Sequence, residues 1–244
     1  MSRNAQPSLA VWPQRESGLG MRSALTETAR FARASASRNK PVVLPAGLPR
    51  GHGQGVLVVP GFLTSDTTTA RLRRALDGLG YRAEGWRGGP NLGPRTKAID
   101  NLKERVAALA DATGGKIAVA GVSLGGVFAR EIAKMMPDKV GAVVTLCSPV
   151  RLPVPTPLAP FVWALQRWFD DDLVAAASGD PVMPGQPMLA VYSQDDGIVQ
   201  WQACVPPPAP NVTAIELPGA GHTTIGSNPR AQSLVAHFLA GALP

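Results

Sequence analysis

The sequence predicts an α/β fold in which a doubly wound, mostly parallel sheet of about six strands is flanked by helices. Short apolar runs of strand length alternate along the chain with segments of helical periodicity, and parallel neighbours need such crossovers. At 244 residues with 45% hydrophobic content, the chain can bury one substantial core. We therefore expect one domain over residues 55–244, preceded by an N-terminal arm.

The arm, residues 1–54, carries most of the net charge. It holds eight Lys or Arg against two Glu, whereas the other 190 residues hold 16 against 15. Apolar residues recur at three- and four-residue spacing from Met21 to Ala36, which predicts a short amphipathic helix that packs on the body. Lys40 to Gln54 is rich in Pro and Gly, as is typical of a connector.

The charge of the arm has two interpretations. A basic segment can contact an anionic membrane surface or nucleic acid. Because no nucleic-acid motif or interleaved aromatic residues accompany the charge, we expect a solvated arm and no nucleic-acid partner. Weak association with a membrane surface is left open. The N-terminus lacks the apolar core of a secretory signal, and no transmembrane segment is expected, which favours a cytoplasmic protein.

Six segments have the length and composition of strands. They are Gly55 to Val59, Tyr81 to Trp86, Lys116 to Ala120, Val140 to Leu146, Pro187 to Tyr192 and Val212 to Leu217. A continuous apolar run such as the first is expected where a strand is buried on both faces of a parallel sheet. The helices predicted around them are Thr67 to Gly80, Thr96 to Thr113, Gly126 to Met136 and Arg230 to Gly241.

Residues 149–186 interrupt this alternation and predict a small helical cap. A Pro-rich lead is followed by Phe161 to Phe169, which is apolar nearly all round its first two turns. Such a segment is expected to be buried, and an insertion after a sheet strand lies above the carboxyl edge of the sheet. An ordinary packed crossover helix is the alternative. We expect the acidic run Asp170 to Asp172 to be the solvated end of the cap helix.

The motif Gly121-Val122-Ser123-Leu124-Gly125 lies between a predicted strand and a predicted helix. A G-x-S-x-G nucleophile elbow requires this context, because its serine occupies a strained turn that projects the Oγ above the sheet. Glycine on both sides removes the collisions that a Cβ would cause. A chance match is the alternative in a chain with 26 glycines. The flanking elements favour Ser123 as a nucleophile.

A serine nucleophile needs a base, and the base needs an acid that fixes its tautomer. In this type of fold the chain order is Ser, then Asp or Glu, then His. Of the three histidines, His52 precedes Ser123 and His237 falls inside the closing helix. His222 alone lies in a loop after the last strand, so we assign it as the base.

Two adjacent aspartates, Asp195 and Asp196, follow the fifth strand, and either carboxylate could reach the imidazole. We select Asp196, because the turn into Gly197 and the apolar pair at 198–199 should direct its carboxylate inward. Asp195 is then expected to cap the turn.

Acyl transfer also needs donors for the oxyanion that forms. The backbone amides of Leu124, at the start of the elbow helix, and Phe62, after the first strand, are the candidates. Gly61 lets the chain turn closely past a substrate, and Pro60 has no amide proton to donate.

Taken together, these motifs resemble those of the α/β-hydrolase superfamily, and within it those of bacterial lipase-like esterases. The resemblance covers about Gly55 to Gly241 and rests on Pro60-Gly61-Phe62, Gly121 to Gly125, Asp196-Gly197-Ile198-Val199 and Gly221-His222. In many relatives a histidine precedes the oxyanion glycine, where this chain has Pro60. The resemblance implies a Ser-His-Asp hydrolase without metal or organic cofactor, acting on esters, thioesters, lactones or amides.

The sequence therefore predicts a carboxylic-ester hydrolase of the esterase or lipase type. The apolar cap favours a small-molecule ester with an apolar acyl or aromatic group. The predicted pocket residues are Leu63, Trp163, Trp168 and Ile198. A thioesterase or acyltransferase that uses the same triad is an alternative, and so is a non-catalytic binding protein with this fold.

The chain has two cysteines, Cys147 and Cys204. Two are too few for a disulfide framework in a chain of this length, so we expect free thiols. A single disulfide bridge between them is the alternative. Each cysteine would follow a predicted strand, and because these strands are neighbours the two side chains could meet.

Overall fold

A computed structural model describes residues 21–36, 41–150, 152, 154, 156–178 and 182–243. Its strands are β1 (Gly55–Val59), β2 (Arg82–Gly85), β3 (Ile117–Val122), β4 (Val140–Leu146), β5 (Met188–Tyr192) and β6 (Val212–Glu216). They form a six-stranded sheet in the order β2-β1-β3-β4-β5-β6, and every neighbouring pair is parallel. The predicted doubly wound parallel sheet is confirmed.

The helices precede, connect or follow these strands along the chain. They are α1 (Met21–Ala36), α2 (Asp66–Gly78), α3 (Thr96–Thr113), α4 (Leu124–Met135), α5 (Ala159–Leu165), α6 (Asp171–Ser178) and α7 (Pro229–Ala242). Each helix predicted from the sequence is present, and α1 and α3 have the predicted bounds. The end of α3 has a local cause: Gly114 follows it with a φ of 70°, the left-handed conformation that glycine adopts readily.

The core lies on both faces of the sheet, as the continuous apolar strands predict. In β1, Val56 and Val58 pack in one hydrophobic cluster, whereas Leu57 and Val59 pack in the other. The side chains of successive strand residues point to opposite faces of the sheet, so one apolar strand packs against the helix layers on both faces. The first layer includes α2 and α7, and the second includes α3 and α4. Burying each such side chain contributes about 1.5 to 3 kcal/mol.

The cap segment packs against the body as predicted, but along one side only. Phe161, Trp163 and Trp168 are 54%, 65% and 48% exposed. The opposite side packs on the core through Leu158, Val162, Leu165 and Phe169. These positions share one face at helical spacing. The segment lies at the rim of the domain, where only one side meets the body, so only one stripe is buried.

The acidic run Asp170 to Asp172 does not end the cap helix, as the sequence predicted, but begins α6. Oδ1 of Asp170 accepts a hydrogen bond from the amide of Leu173 at 3.1 Å, and Oδ2 accepts one from the hydroxyl of Thr96 at 2.5 Å. The next two carboxylates occupy the first helical turn, where they complement the helix dipole. The amide of Asp170 also donates to the carbonyl of Pro94, which attaches the cap to the segment before α3.

Cys147 and Cys204 are both buried free thiols, as predicted. Residues 1–20 and 37–40 of the basic arm lie outside the described residues, as do residues 151, 153, 155 and 179–181 of the cap region. Among the residues that are described, no helix is long and apolar enough to cross a membrane.

The topology determines where a site can form. All six strands run in one direction, so the loops that follow them meet at one edge of the sheet. Ser123 follows β3, the aspartates follow β5 and His222 follows β6. This edge is therefore where the predicted catalytic residues gather.

Candidate active site

Ser123 occupies a strained turn between β3 and α4. Its backbone angles are φ 54° and ψ −125°, an uncommon conformation for a residue with a side chain. The amide of Ser123 donates to the carbonyl of Leu146 at 2.9 Å, which ties the turn to β4. Leu63 and Cys147, which follow β1 and β4, also have positive φ values. Backbone strain is thus concentrated around one edge of the sheet, as is common at functional sites.

The two glycines of the elbow are required by close backbone packing. A Cβ on Gly121 would collide with the backbone of Gly125, and a Cβ on Gly125 would collide with the carbonyl of Val59. Backbone atoms of a packed helix or strand cannot move aside as the end of a flexible side chain can. Both glycines are needed for the elbow to close, which a chance match of the motif would not require.

His222 and Asp196 form a buried hydrogen-bonded pair. Nδ1 of His222 lies 2.7 Å from Oδ2 of Asp196. The other carboxylate oxygen accepts hydrogen bonds from the amides of Ile198 and Val199, each at 2.8 Å. Of the two aspartates left open by the sequence, Asp196 is the one that contacts the imidazole, and the backbone of the apolar pair orients its carboxylate.

Asp195 makes a different contact. Its Oδ2 accepts a hydrogen bond from the amide of Gly219 at 2.7 Å. Gly219 lies in the loop that carries His222, so this carboxylate joins the loop after β5 to the loop after β6. The sequence predicted instead that it would cap its own turn. The difference arises because the two loops are neighbours only in the folded sheet.

The loop of His222 also reaches the elbow. A Cβ built on Gly226, four residues beyond the histidine, would lie 3.6 Å from Cγ2 of Val122. Val122 immediately precedes Ser123. The loop after β6 therefore passes close to the strand that presents the serine.

The electrostatic interaction between His222 and Asp196 stabilises the charged form of each side chain. Burial lowers the pKa of His222, but the charge and hydrogen bond of Asp196, together with the charge of Glu27, outweigh burial and raise it above its ordinary value. Burial raises the pKa of Asp196, but the imidazole and two backbone amides outweigh burial and lower it. The carboxylate is thus held ionised beside an imidazole that gains a proton readily, as a general base requires.

The loop after β1 passes close to Ser123. A Cβ built on Gly61 would lie 3.2 Å from the Cβ of Ser123 and 3.8 Å from its Oγ. The amide of Phe62 follows directly, and the amide of Leu124 is the first of α4. Within the described part of the chain, neither amide donates a hydrogen bond to another protein group. Both remain available to a ligand beside the serine.

Asn91 holds this loop in place, and the sequence analysis missed it. Its fully buried side chain donates from Nδ2 to the carbonyl of Pro60 at 2.8 Å. The backbone amide of Asn91 donates to the carbonyl of Thr64, and the backbone carbonyl of Asn91 accepts from the amide of Leu63. The segment that carries Phe62 is thereby fixed on both sides. An Asn in a loop rich in Gly and Pro is typical of a turn, so the local sequence gave little signal.

Glu27 is the second residue that the sequence analysis missed. It lies in α1, yet its carboxylate is buried and accepts hydrogen bonds from the amides of His222 and Thr223, each at 3.0 Å. An acidic residue in a polar, Arg-rich helix is expected on the solvent side. The one available signal was the predicted packing of this helix on the body.

The four predicted pocket residues have different surroundings. Ile198, which follows Asp196 by two residues, is buried. Leu63, which is next to Phe62, is 39% exposed. Trp163 and Trp168 lie on the outer side of the cap, where two guanidinium groups lie over the Trp168 ring, 4.1 Å and 5.5 Å from its centroid. The first two border the site along the chain, whereas the tryptophans are largely open to solvent.

A metal centre is a second interpretation of part of this site. Cys147, Asp196 and His222 offer ligand atoms that lie within 4.8 Å of one another. A metal ligand must be deprotonated, however, and burial together with the charge of Asp196 raises the pKa of the Cys147 thiol well above its ordinary value. The group therefore fits a hydrogen-bonded His-Asp pair packed against a neutral thiol better than a metal site.

Solved structures share this architecture. The thermophilic carboxylesterase EstE1, cloned from a metagenomic library, matches with a TM-score of 0.60 and 16% identity, over 90% of this chain and 97% of that chain. The carboxylesterase CesB (YbfK) from Bacillus subtilis matches with a TM-score of 0.55 and 14% identity, over 91% and 100%. The chain has the α/β-hydrolase fold. The resemblance predicted from the motifs is confirmed at the level of the fold.

The α/β-hydrolase fold is shared by more than one class of hydrolase. The monoacylglycerol lipase of Paleococcus ferrophilus matches with a TM-score of 0.56 and 16% identity, over 80% of this chain and 97% of that chain. No model of a known protein family matches the sequence. No curated protein matches it either. Identities this low relate the fold alone, so the chemistry must be argued from the residues of this chain.

Proposed function

We propose that the protein is a serine hydrolase that cleaves carboxylic esters, with Ser123 as nucleophile, His222 as base and Asp196 as the acid that orients it. The observation that carries the proposal is the 2.7 Å hydrogen bond between buried His222 and Asp196, on loops that meet the strained elbow of Ser123. A packing role alone would not need a strained serine, two forced glycines and a buried charge pair at one sheet edge.

The reaction follows from these groups. Nδ1 of His222 is engaged by Asp196, which leaves Nε2 to accept the proton of Ser123 as its Oγ attacks the ester carbonyl. Asp196 stabilises the imidazolium, and His222 then returns the proton to the leaving alcohol as the C–O bond breaks. Water, deprotonated by the same imidazole, attacks the acyl-enzyme. The bond to Ser123 Oγ breaks, His222 returns the proton to Oγ, and the carboxylic acid is released.

The amides of Phe62 and Leu124 would bind the oxyanion of the tetrahedral intermediate. Support comes from their position beside Ser123 and from their lack of protein acceptors among the described residues. Leu124 also begins α4, so the positive end of the helix dipole favours negative charge there. This route uses neither a metal nor an organic cofactor.

The substrate is proposed to be a small-molecule ester with an apolar acyl or aromatic group. Ile198, two residues after Asp196, and Leu63, next to Phe62, supply apolar side chains close to the site along the chain. Two of the similar structures are carboxylesterases and one is a monoacylglycerol lipase, which agrees with this class.

The test is hydrolysis of p-nitrophenyl esters from acetate to palmitate by the wild-type protein and by Ser123→Ala. We expect kcat to fall by about 10⁶ in the variant if the triad acts as a unit. Ser233→Ala is the matched control, because that hydroxyl is on α7 and, among the described residues, bonds only to the carbonyl of Pro229. Wild-type activity in Ser123→Ala would overturn the proposal. The preferred chain length reports the depth of the pocket.

A thioesterase or acyltransferase would use the same residues, so a substrate comparison must separate them. Matched oxygen and thiol esters distinguish an esterase from a thioesterase. Added alcohol acceptor distinguishes hydrolysis from acyl transfer. We expect oxygen esters to be cleaved to the free acid with or without the acceptor. Preference for the thiol ester, or transfer to the alcohol as the main product, would favour the alternatives.

A further inference from the structure

Helix α1 contributes a buried carboxylate to the loop that carries His222. Glu27 is 1% exposed, although the residues on either side of it in the helix are exposed. Its Oε1 accepts a hydrogen bond from the amide of His222 at 3.0 Å. Its Oε2 accepts one from the amide of Thr223 at 3.0 Å and one from the Thr223 hydroxyl at 2.7 Å. One side chain thus binds two consecutive backbone amides, 195 and 196 residues away in sequence.

Arg30, one turn further along α1, extends this contact to the acid loop. Its guanidinium donates to Oε1 of Glu27 at 2.8 Å and to the backbone carbonyl of Asp195 at 2.9 Å. Asp195 immediately precedes Asp196, so the same helix holds the loops of the proposed base and the proposed acid.

Gly221 permits this close approach. A Cβ at that position would lie 2.6 Å from Cδ of Arg30 and 2.7 Å from Oε1 of Glu27. Neither distance is compatible with a side chain on residue 221 unless the side chains of Arg30 and Glu27 shift and give up their present contacts. The Gly221-His222 pair of the sequence is therefore explained by the docking of α1 as well as by the turn itself.

The contact requires an ionised Glu27. A buried carboxylate is unfavourable unless its oxygens are satisfied, and here the two oxygens accept four hydrogen bonds. Burial alone raises the pKa of Glu27, but the bonds from Thr223, Arg30 and His222 outweigh it and lower the pKa below its ordinary value. The negative charge is therefore retained beside the imidazole.

We propose that Glu27 is a positioning residue for ester hydrolysis, which fixes the backbone of His222 and favours the imidazolium that forms when Ser123 attacks. The inference rests on the proposed function, because it assigns Glu27 a part in that reaction. A purely structural role, in which Glu27 only anchors α1, would affect stability but would not change the titration of the base.

The main test compares Glu27→Gln with Glu104→Gln, an exposed carboxylate on α3. In Glu27→Gln we expect kcat to fall by about 10- to 100-fold, as for a catalytic group displaced by about 1 Å, with KM changed by less than about threefold. In the described part of the chain, the titratable groups that face the imidazole are Asp196, Cys147 and Glu27. Removing one negative charge should move the acid limb of the kcat/KM profile to lower pH. Glu104→Gln should match wild type in both measurements.

A second measurement does not depend on activity. Hydrogen exchange of residues 219–224 should be at least about tenfold faster in Glu27→Gln than in wild type, because two amides lose their charged acceptor. Leu102→Ala, a core change in α3, controls for lost stability, and its pH limb should not move. Unchanged turnover in Glu27→Gln, or reduced turnover with an unmoved pH limb as in a merely destabilised protein, overturns the proposal.

The failure of the proposed function would be recognised separately. If wild type cleaves no ester, the esterase assignment fails. In that case hydrogen exchange decides whether Glu27 holds the His222 loop, and unchanged exchange at residues 219–224 overturns that contact as well.

Discussion

The imidazole of His222 and the carboxylate of Asp196 lie 2.7 Å apart, and each is held by a contact outside the pair. Two backbone amides bind the free oxygen of Asp196, and Glu27 binds the amide of His222. The orientation of the pair is therefore set before any substrate arrives. Preorganisation of this kind is what a proton relay needs, since it avoids reorganising the groups during the reaction.

Asp196→Asn should reduce kcat by about 10⁴, because an amide favours the wrong tautomer of the imidazole. Asp195→Asn is the matched control. It weakens the bond to Gly219 but leaves the 2.7 Å contact between His222 and Asp196, so kcat should change by less than about tenfold. Steady-state kinetics on one p-nitrophenyl ester measures both. Equal losses in the two variants would contradict the choice of Asp196.

The site should contribute most to stability between about pH 4.5 and 6.5. The pKa of Glu27 is lowered from 4.5, so its contribution is complete above 4.5 and is lost as the pH falls through the folded value. The pKa of His222 is raised from 6.5, so its contribution is complete below 6.5 and is lost as the pH rises through the folded value.

Urea unfolding across this range measures the effect. The free-energy difference between wild type and Glu27→Gln should shrink below pH 4.5, and that between wild type and His222→Asn should shrink above pH 6.5. Differences that stay constant with pH would show that neither group changes its titration on folding.

Gly121→Ala should destabilise the protein by about 1 to 3 kcal/mol or more, since the added Cβ meets the backbone of Gly125. It should also abolish activity by opening the elbow. Gly115→Ala is the control, because a Cβ there meets nothing within 4 Å, and we expect a change within about 0.5 kcal/mol. Urea unfolding compares the two variants. A fully stable, active Gly121→Ala variant would mean that the turn does not need its glycine.

Asn91→Ala should lower kcat by about 10- to 100-fold, because the loop of Phe62 loses its brace and the oxyanion donors move. Stability should fall by about 1 to 3 kcal/mol, since the carbonyl of Pro60 is left without a donor. Asn101→Ala removes a similar bond, to the carbonyl of Trp86 at 2.9 Å, away from the site. It should lower stability and leave kcat within about twofold. Equal kcat values in the two variants would contradict the role of Asn91.

The elements of the fold were largely predictable because their signals are local. Val56 to Val59 are all apolar and all buried, and the helix from Thr96 to Thr113 stops at a glycine. Ser123 and its glycines were recognisable for the same reason, since the elbow is built from neighbours in the chain. The choice of Asp196 over Asp195 needed only the turn chemistry of the residues that follow.

The rest depended on contacts between distant parts of the chain. Glu27 and His222 are 195 residues apart, and Asn91 and Pro60 are 31 apart, so no local pattern relates them. The exposed outer side of the cap could not be predicted, for a related reason. An apolar segment shows that burial is favourable, but whether a second surface exists to cover Trp163 depends on the position of the segment in the fold.

Labelling by a fluorophosphonate tests whether Ser123 is an activated nucleophile. The reagent phosphonylates a serine only when an adjacent base and oxyanion donors activate it. Peptide mass spectrometry should locate one adduct on Ser123 in wild type and in Ser233→Ala, with none at that site in His222→Asn. A folded wild-type protein that gains no adduct on Ser123 would contradict the account and favour a binding protein with this fold.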